Sequence, residues 1–63
     1  MCMSSAYEVR EGEENVFLCD YIREAQVEAG SVKLTDITGK QMVVNGKIRT
    51  IDLVKNVILI DPA

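Results

Sequence analysis

Hydrophobic positions along this chain recur at every second residue over short stretches, the period of half-buried strands rather than of helices. Tyr7 and Val9 alternate with Glu8 and Arg10, and Val16 and Leu18 open a second run that continues through Cys19-Asp20-Tyr21-Ile22. Val27 sits between Gln26 and Glu28, Val32 and Leu34 alternate with Lys33 and Thr35, and Met42 pairs with Val44. Turn-forming residues punctuate these runs at Glu11-Gly12-Glu13, Ala29-Gly30-Ser31, Thr38-Gly39-Lys40, Asn45-Gly46 and Lys55-Asn56. Asn45-Gly46 predicts a tight hairpin, because both residues tolerate the positive φ that such turns require. After it Ile48 starts one parity and Ile51 and Leu53 continue on the other, which predicts a bulge at Arg49-Thr50. The apolar run over residues 54–60 is broken only by Lys55-Asn56. That break reads as a second hairpin, leaving Val57, Ile58, Leu59 and Ile60 as a last strand with apolar side chains on both faces.

Residues 20–29 admit a second reading. Ile22, Ala25, Gln26 and Ala29 are spaced as on a helical face, with Asp20 available as an N-cap. We favour a strand over residues 25–29. The expectation is an all-β fold, a small SH3-like antiparallel barrel of five to seven short strands, formed by residues 1–63 as a single domain.

Size narrows the function. A chain of 63 residues buries only about 60% of its unfolded surface, so a partner subunit would help to complete its core. The three aromatics, Tyr7, Phe17 and Tyr21, leave little with which to line a large ligand pocket. No run nears the roughly 18 apolar residues of a membrane helix. An enzyme is not expected: the chain has no histidine, and Asp36, Asp52 and Asp61 are isolated carboxylates placed to support turns and strand ends. Seven basic residues stand against ten acidic ones, a balance that weighs against nucleic acid, which attracts basic surfaces. A nucleic-acid reading would rest on Lys47 and Arg49, with Tyr7 or Tyr21 as stacking platforms.

Two cysteines, Cys2 and Cys19, lie too far apart in sequence for a C-x-x-C motif. Without a secretory signal a reducing, cytoplasmic location is expected, which disfavours a disulfide. Four tetrahedral zinc ligands cannot come from two cysteines and no histidine. Cys19, beside Leu18, reads as a core or strand residue. Cys2 reads differently. In Met1-Cys2-Met3 the terminal amine, the next amide nitrogen and the Cys2 thiolate can close adjacent five-membered chelate rings on one ion. Such donors suit a square-planar metal, Ni(II) or Cu(II). A fourth ligand could come from Cys2 of a second subunit or from the Met3 thioether. If Met1 is removed, the amine and thiolate of Cys2 form a bidentate pair instead.

Three stretches together resemble the CooT family, small nickel-binding accessory proteins of carbon monoxide dehydrogenase maturation. They are the opening Met1-Cys2-Met3, the segment Val32-Lys33-Leu34-Thr35-Asp36-Ile37-Thr38-Gly39, and Gly46-Lys47-Ile48-Arg49-Thr50-Ile51-Asp52-Leu53, which is similar to a G-[KR]-I-x-x-I-D signature. The resemblance spans nearly the whole chain. It implies an SH3-like barrel, a homodimer, and Ni(II) held at Cys2 near the dimer contact. The function expected is a nickel metallochaperone for a client nickel enzyme, carbon monoxide dehydrogenase or similar. The alternatives are an RNA- or single-strand-binding barrel, and a metal-free interaction module docking through its last apolar strand.

Overall fold

The structure, a computed structural model, describes residues 3–63. It contains five strands and no helix: β1 (Ser4–Glu8), β2 (Val16–Glu28), β3 (Ser31–Asp36), β4 (Gln41–Asp52) and β5 (Val57–Pro62). They close a barrel in chain order. Residues 20–28 are strand, with Ala29 in the following turn, because their helical spacing competes with a ladder to β3 from Ile22↔Asp36 to Glu28↔Ser31 that shifts register only between Ile22 and Glu24.

Each consecutive pair is antiparallel, and the closing β1–β5 pair is parallel, from Ser5↔Val57 to Glu8↔Ile60. Topology demands this exception. Strand direction cannot reverse at every step round a ring of five, so one neighbouring pair must run the same way.

Closing so few strands requires some of them to serve two sheets. β2 pairs with β1 through Val16↔Glu8 and Ala6↔Cys19, then with β3 from Ile22 onward. The corner falls at Tyr21, whose φ of 54° is rare for a side chain of its size. Its carbonyl accepts a hydrogen bond from Ile37 N at 3.0 Å. β4 makes the corresponding change between Asn45, paired with Ser31, and Gly46, paired with Pro62.

This corrects the expectation of a hairpin at Asn45-Gly46. The chain there stays extended within β4 and changes partner rather than direction. Gly46 N donates to Gly30 O at 3.0 Å, and Asn45 O accepts from Ala63 N at 3.2 Å. The dipeptide thus bonds outward to two other segments, where a hairpin would bond across itself. Glycine is needed for the corner, because φ at Gly46 is 147° and a Cβ would lie 2.1 Å from the Asp61 carbonyl oxygen.

The bulge falls where the parity switch places it. Ile48 faces Ile60 and Thr50 faces Leu59, leaving Arg49 as the extra residue. The last hairpin is wider than Lys55-Asn56 alone. Its turn runs over residues 53–56, because Asp52 Oδ1 accepts hydrogen bonds from Val54 N at 3.0 Å and Lys55 N at 2.8 Å. Leu53 and Val54 therefore leave the sheet and stand in solvent.

Inside the barrel Ala6, Ile22, Val32, Leu34, Val44, Ile58 and Ile60 form the buried core, with Leu18, Cys19, Ala25 and Ile48 packed against it. Val32 and Leu34, and Ile58 and Ile60, supply the alternating inward positions that the period of two requires.

Gly46→Ala should cost at least about 3 kcal/mol, a large share of what so small a domain possesses. Gly12→Ala, with φ of 69° but nothing within 4 Å of its Cβ, should cost only about 1 kcal/mol. Urea unfolding of both variants checks the contrast, and equal midpoints would contradict it.

Candidate metal centre

Cys2, the metal ligand expected from sequence, lies outside the described residues. What the structure defines is the entrance to β1. Ser4 faces Ile22 at the β2 corner, and Ser5 faces Val57 while its N–H donates to Asn56 O at 2.9 Å. The chain thus joins the barrel between the Tyr21 corner and the turn over residues 53–56. This end is apolar and open to solvent: Leu53 and Val54 are 80% and 92% exposed, with Ile51, Tyr21 and Ile37 each at least half exposed.

Cys19 has the character its neighbours predict. It is a half-buried free thiol that faces Ala6 and packs on the core. Burial, then the charges of Asp20 and Asp36, push its pKa up. Among the described residues no group of three or more Cys, Asp or Glu side chains could hold a metal ion.

Asp36 works as a turn cap. Its Oδ1 accepts hydrogen bonds from Thr38 Oγ1 at 2.6 Å, Thr38 N at 2.8 Å and Lys40 N at 3.0 Å. The Thr38 hydroxyl is the main reason that its pKa falls below the ordinary 3.8, with the two backbone donors and the Lys40 charge assisting. Asp52 caps the β4–β5 turn in the same way. Both carboxylates thus act as the sequence suggested, through local hydrogen bonds.

The basic pair behind the nucleic-acid reading gathers round an aspartate, apart from Tyr7. Arg49 Nε pairs with Asp61 Oδ1 at 2.9 Å, and Lys47 faces the same aspartate across the ladder. Tyr7 packs edge-on against Phe17 with ring centroids 5.7 Å apart, and β5 lies between its strand, β1, and β4. Two features had no sequence signal that we recognised. One is the exposure of Leu53 and Val54, and the other is a groove of about 380 Å³ beside Phe17, Cys19 and Met42.

The family model described as CO dehydrogenase accessory protein CooT matches residues 1–61. The chain belongs to the CooT family. No curated protein matches it. A crystal structure described as that of a candidate CooT from Carboxydothermus hydrogenoformans has the same fold, with a TM-score of 0.86 at 24% identity, covering 98% of each chain. CooT proteins are accessory proteins to CO dehydrogenase and not catalysts, so the role of this chain is maturation support rather than turnover. Among the described residues no helix is long and apolar enough to cross a membrane.

The depressed pKa of Asp36 fixes a sign for acid stability. Its contribution is complete above about 3.8 and disappears as pH falls through the lower, folded-state value. Asp36→Asn should lower the thermal midpoint at pH 7, and the gap to wild type should close as the pH drops below 3.8. Thermal melts monitored by circular dichroism across this range check it. A gap that persists into strong acid would show that the ionised carboxylate is not what stabilises the turn.

Proposed function

We propose that this chain binds Ni(II) through Cys2 as a homodimer in the cytoplasm, and carries the ion to the CO dehydrogenase that it assists. The observation that carries the reading is the position of one thiol. Cys2 stands directly after Met1, so with a free amine on either residue, amine and thiolate, joined by the amide nitrogen when Met1 is kept, can chelate one ion in a plane, the field Ni(II) accepts and Zn(II) does not favour. Membership of an accessory family for a nickel enzyme supports nickel over copper.

The barrel supports this reading by the surface it leaves at the entrance to β1. Two copies meeting over Leu53 and Val54 would bury their exposed side chains and bring the starts of both β1 strands together. A thiolate from each Cys2 could then share one ion. Delivery asks for a site that releases as well as holds, and a chain terminus can be reached by an acceptor without unfolding the barrel. Binding displaces protons from the thiol and the amide, so affinity should rise with pH.

Titration with Ni(II) should produce thiolate-to-nickel absorption that Cys19→Ser retains and Cys2→Ser abolishes. Native mass spectrometry should find one ion per two chains. Undiminished absorption in Cys2→Ser would refute the site, and one ion per single chain would refute its sharing.

A further inference from the structure

The corner in β2 leaves a strand edge without a partner. Over residues 16–20 the register partners of β2 lie only in β1, and its pairing with β3 begins at Ile22. The edge turned away from β1 therefore has open backbone donors and acceptors among the described residues. The groove of about 380 Å³ runs along it, since Phe17, Leu18, Cys19 and Asp20 all contribute to its lining. Leu18 is an extra residue of β2 between the pairs Tyr7↔Phe17 and Ala6↔Cys19, and this bulge lets consecutive residues of the strand border one groove. Leu34 and Met42, which face each other across the β3–β4 ladder, lie on the opposite side. Val16, Phe17 and Met42 remain 41%, 53% and 40% exposed. An unpaired edge beside exposed apolar side chains is a template for an added strand.

Charge selects the occupant. Glu11, Glu13 and Glu14 are exposed in the loop leading into Val16, and Asp20 is exposed at the other end of the edge. The ion pairs of the described residues are Glu8–Arg10 and Arg49–Asp61, which leave these four carboxylates uncompensated. Lys40, the one base lining the groove, sits next to Asp36 and lowers that carboxyl's pKa. A second copy of the chain, adding antiparallel through the same edge, would set its Asp20 against the Glu13-Glu14 end of the first. Like charges facing each other oppose that pairing.

We propose that residues 16–20 of β2 receive an extended segment of a partner protein as an extra strand, its alternate apolar side chains entering the groove and its lysines or arginines meeting the acidic ends. Backbone hydrogen bonds supply affinity, while Phe17 and Met42 select the side chains. The proposal stands apart from the metal reading and needs no residue ahead of Ser4.

The test uses the full chain and a fluorescein-labelled peptide of alternating valine and lysine, titrated by fluorescence anisotropy at low salt. Saturable binding is expected, with amide shift changes confined to residues 16–20, Met42 and their neighbours. Replacing lysine by glutamate in the peptide, or methylating alternate backbone nitrogens on its pairing edge, should each weaken binding about tenfold or more. Glu13→Lys/Glu14→Lys, altering exposed loop positions, should weaken it by a similar factor with the amide spectrum otherwise retained. The absence of saturation, shift changes elsewhere, or equal binding of the methylated or acidic peptide would overturn the proposal. So would concentration-dependent self-association mapping to residues 16–20, which would give the edge to a second copy.

Discussion

Five strands close this ring because its two long ones, β2 and β4, turn corners within themselves, and the contact between Gly46 and the Asp61 carbonyl is where that constraint is tightest. No side chain fits there: a Cβ would fall 2.1 Å from the oxygen. Because β4 passes this point, its first half can pair with β3 and its second half with β5. Tyr21 does the equivalent for β2 without the freedom of glycine, at a φ of 54°. Such a conformation in a residue other than glycine costs on the order of 1 kcal/mol, held in place by the ladders on either side. Both the enclosed core and the functional surfaces follow from these corners, since bending a strand away from one neighbour exposes an edge or a turn elsewhere.

The sequence is legible wherever one local force dominates. Alternation at Val32 and Leu34 marks an inward face that is indeed buried, whereas in the all-apolar run over 57–60 only the structure singles out Ile58 and Ile60 as the buried pair. The parity change across Arg49 marks a bulge, because inserting one residue necessarily swaps the faces of those that follow. Asp36 and Asp52 read as turn supports because an aspartate beside a turn reaches backbone N–H groups two residues on. Misreading arises where a local signal has two uses. Asn-Gly suits a hairpin, yet a glycine with positive φ serves equally well where a continuous strand changes partners, and only the position of β5 decides between them. The apolar pair Leu53-Val54 looks like strand by composition. The Asp52 carboxylate holds it in the turn.

The proposed metal site rests on a different kind of signal. Cys2 stands out through chelate chemistry and through likeness to a family, and both would hold for an unfolded peptide of the same sequence. What the fold adds is context: the entrance to β1 lies beside Leu53 and Val54, the most exposed large apolar side chains among the described residues, and the remaining thiol, Cys19, packs half-buried on the core with its pKa pushed up by burial and by Asp20 and Asp36. The open edge of β2 had no counterpart in the sequence, because a missing neighbour is a property of the ring and not of the residues that line it.

For an accessory protein with no catalysis of its own, the proposal rests on how an ion would be held. X-ray absorption spectroscopy at the nickel edge of the loaded protein addresses this most directly. The account predicts sulfur and nitrogen scatterers in a square-planar field. A six-coordinate ion surrounded only by oxygen and nitrogen would contradict it.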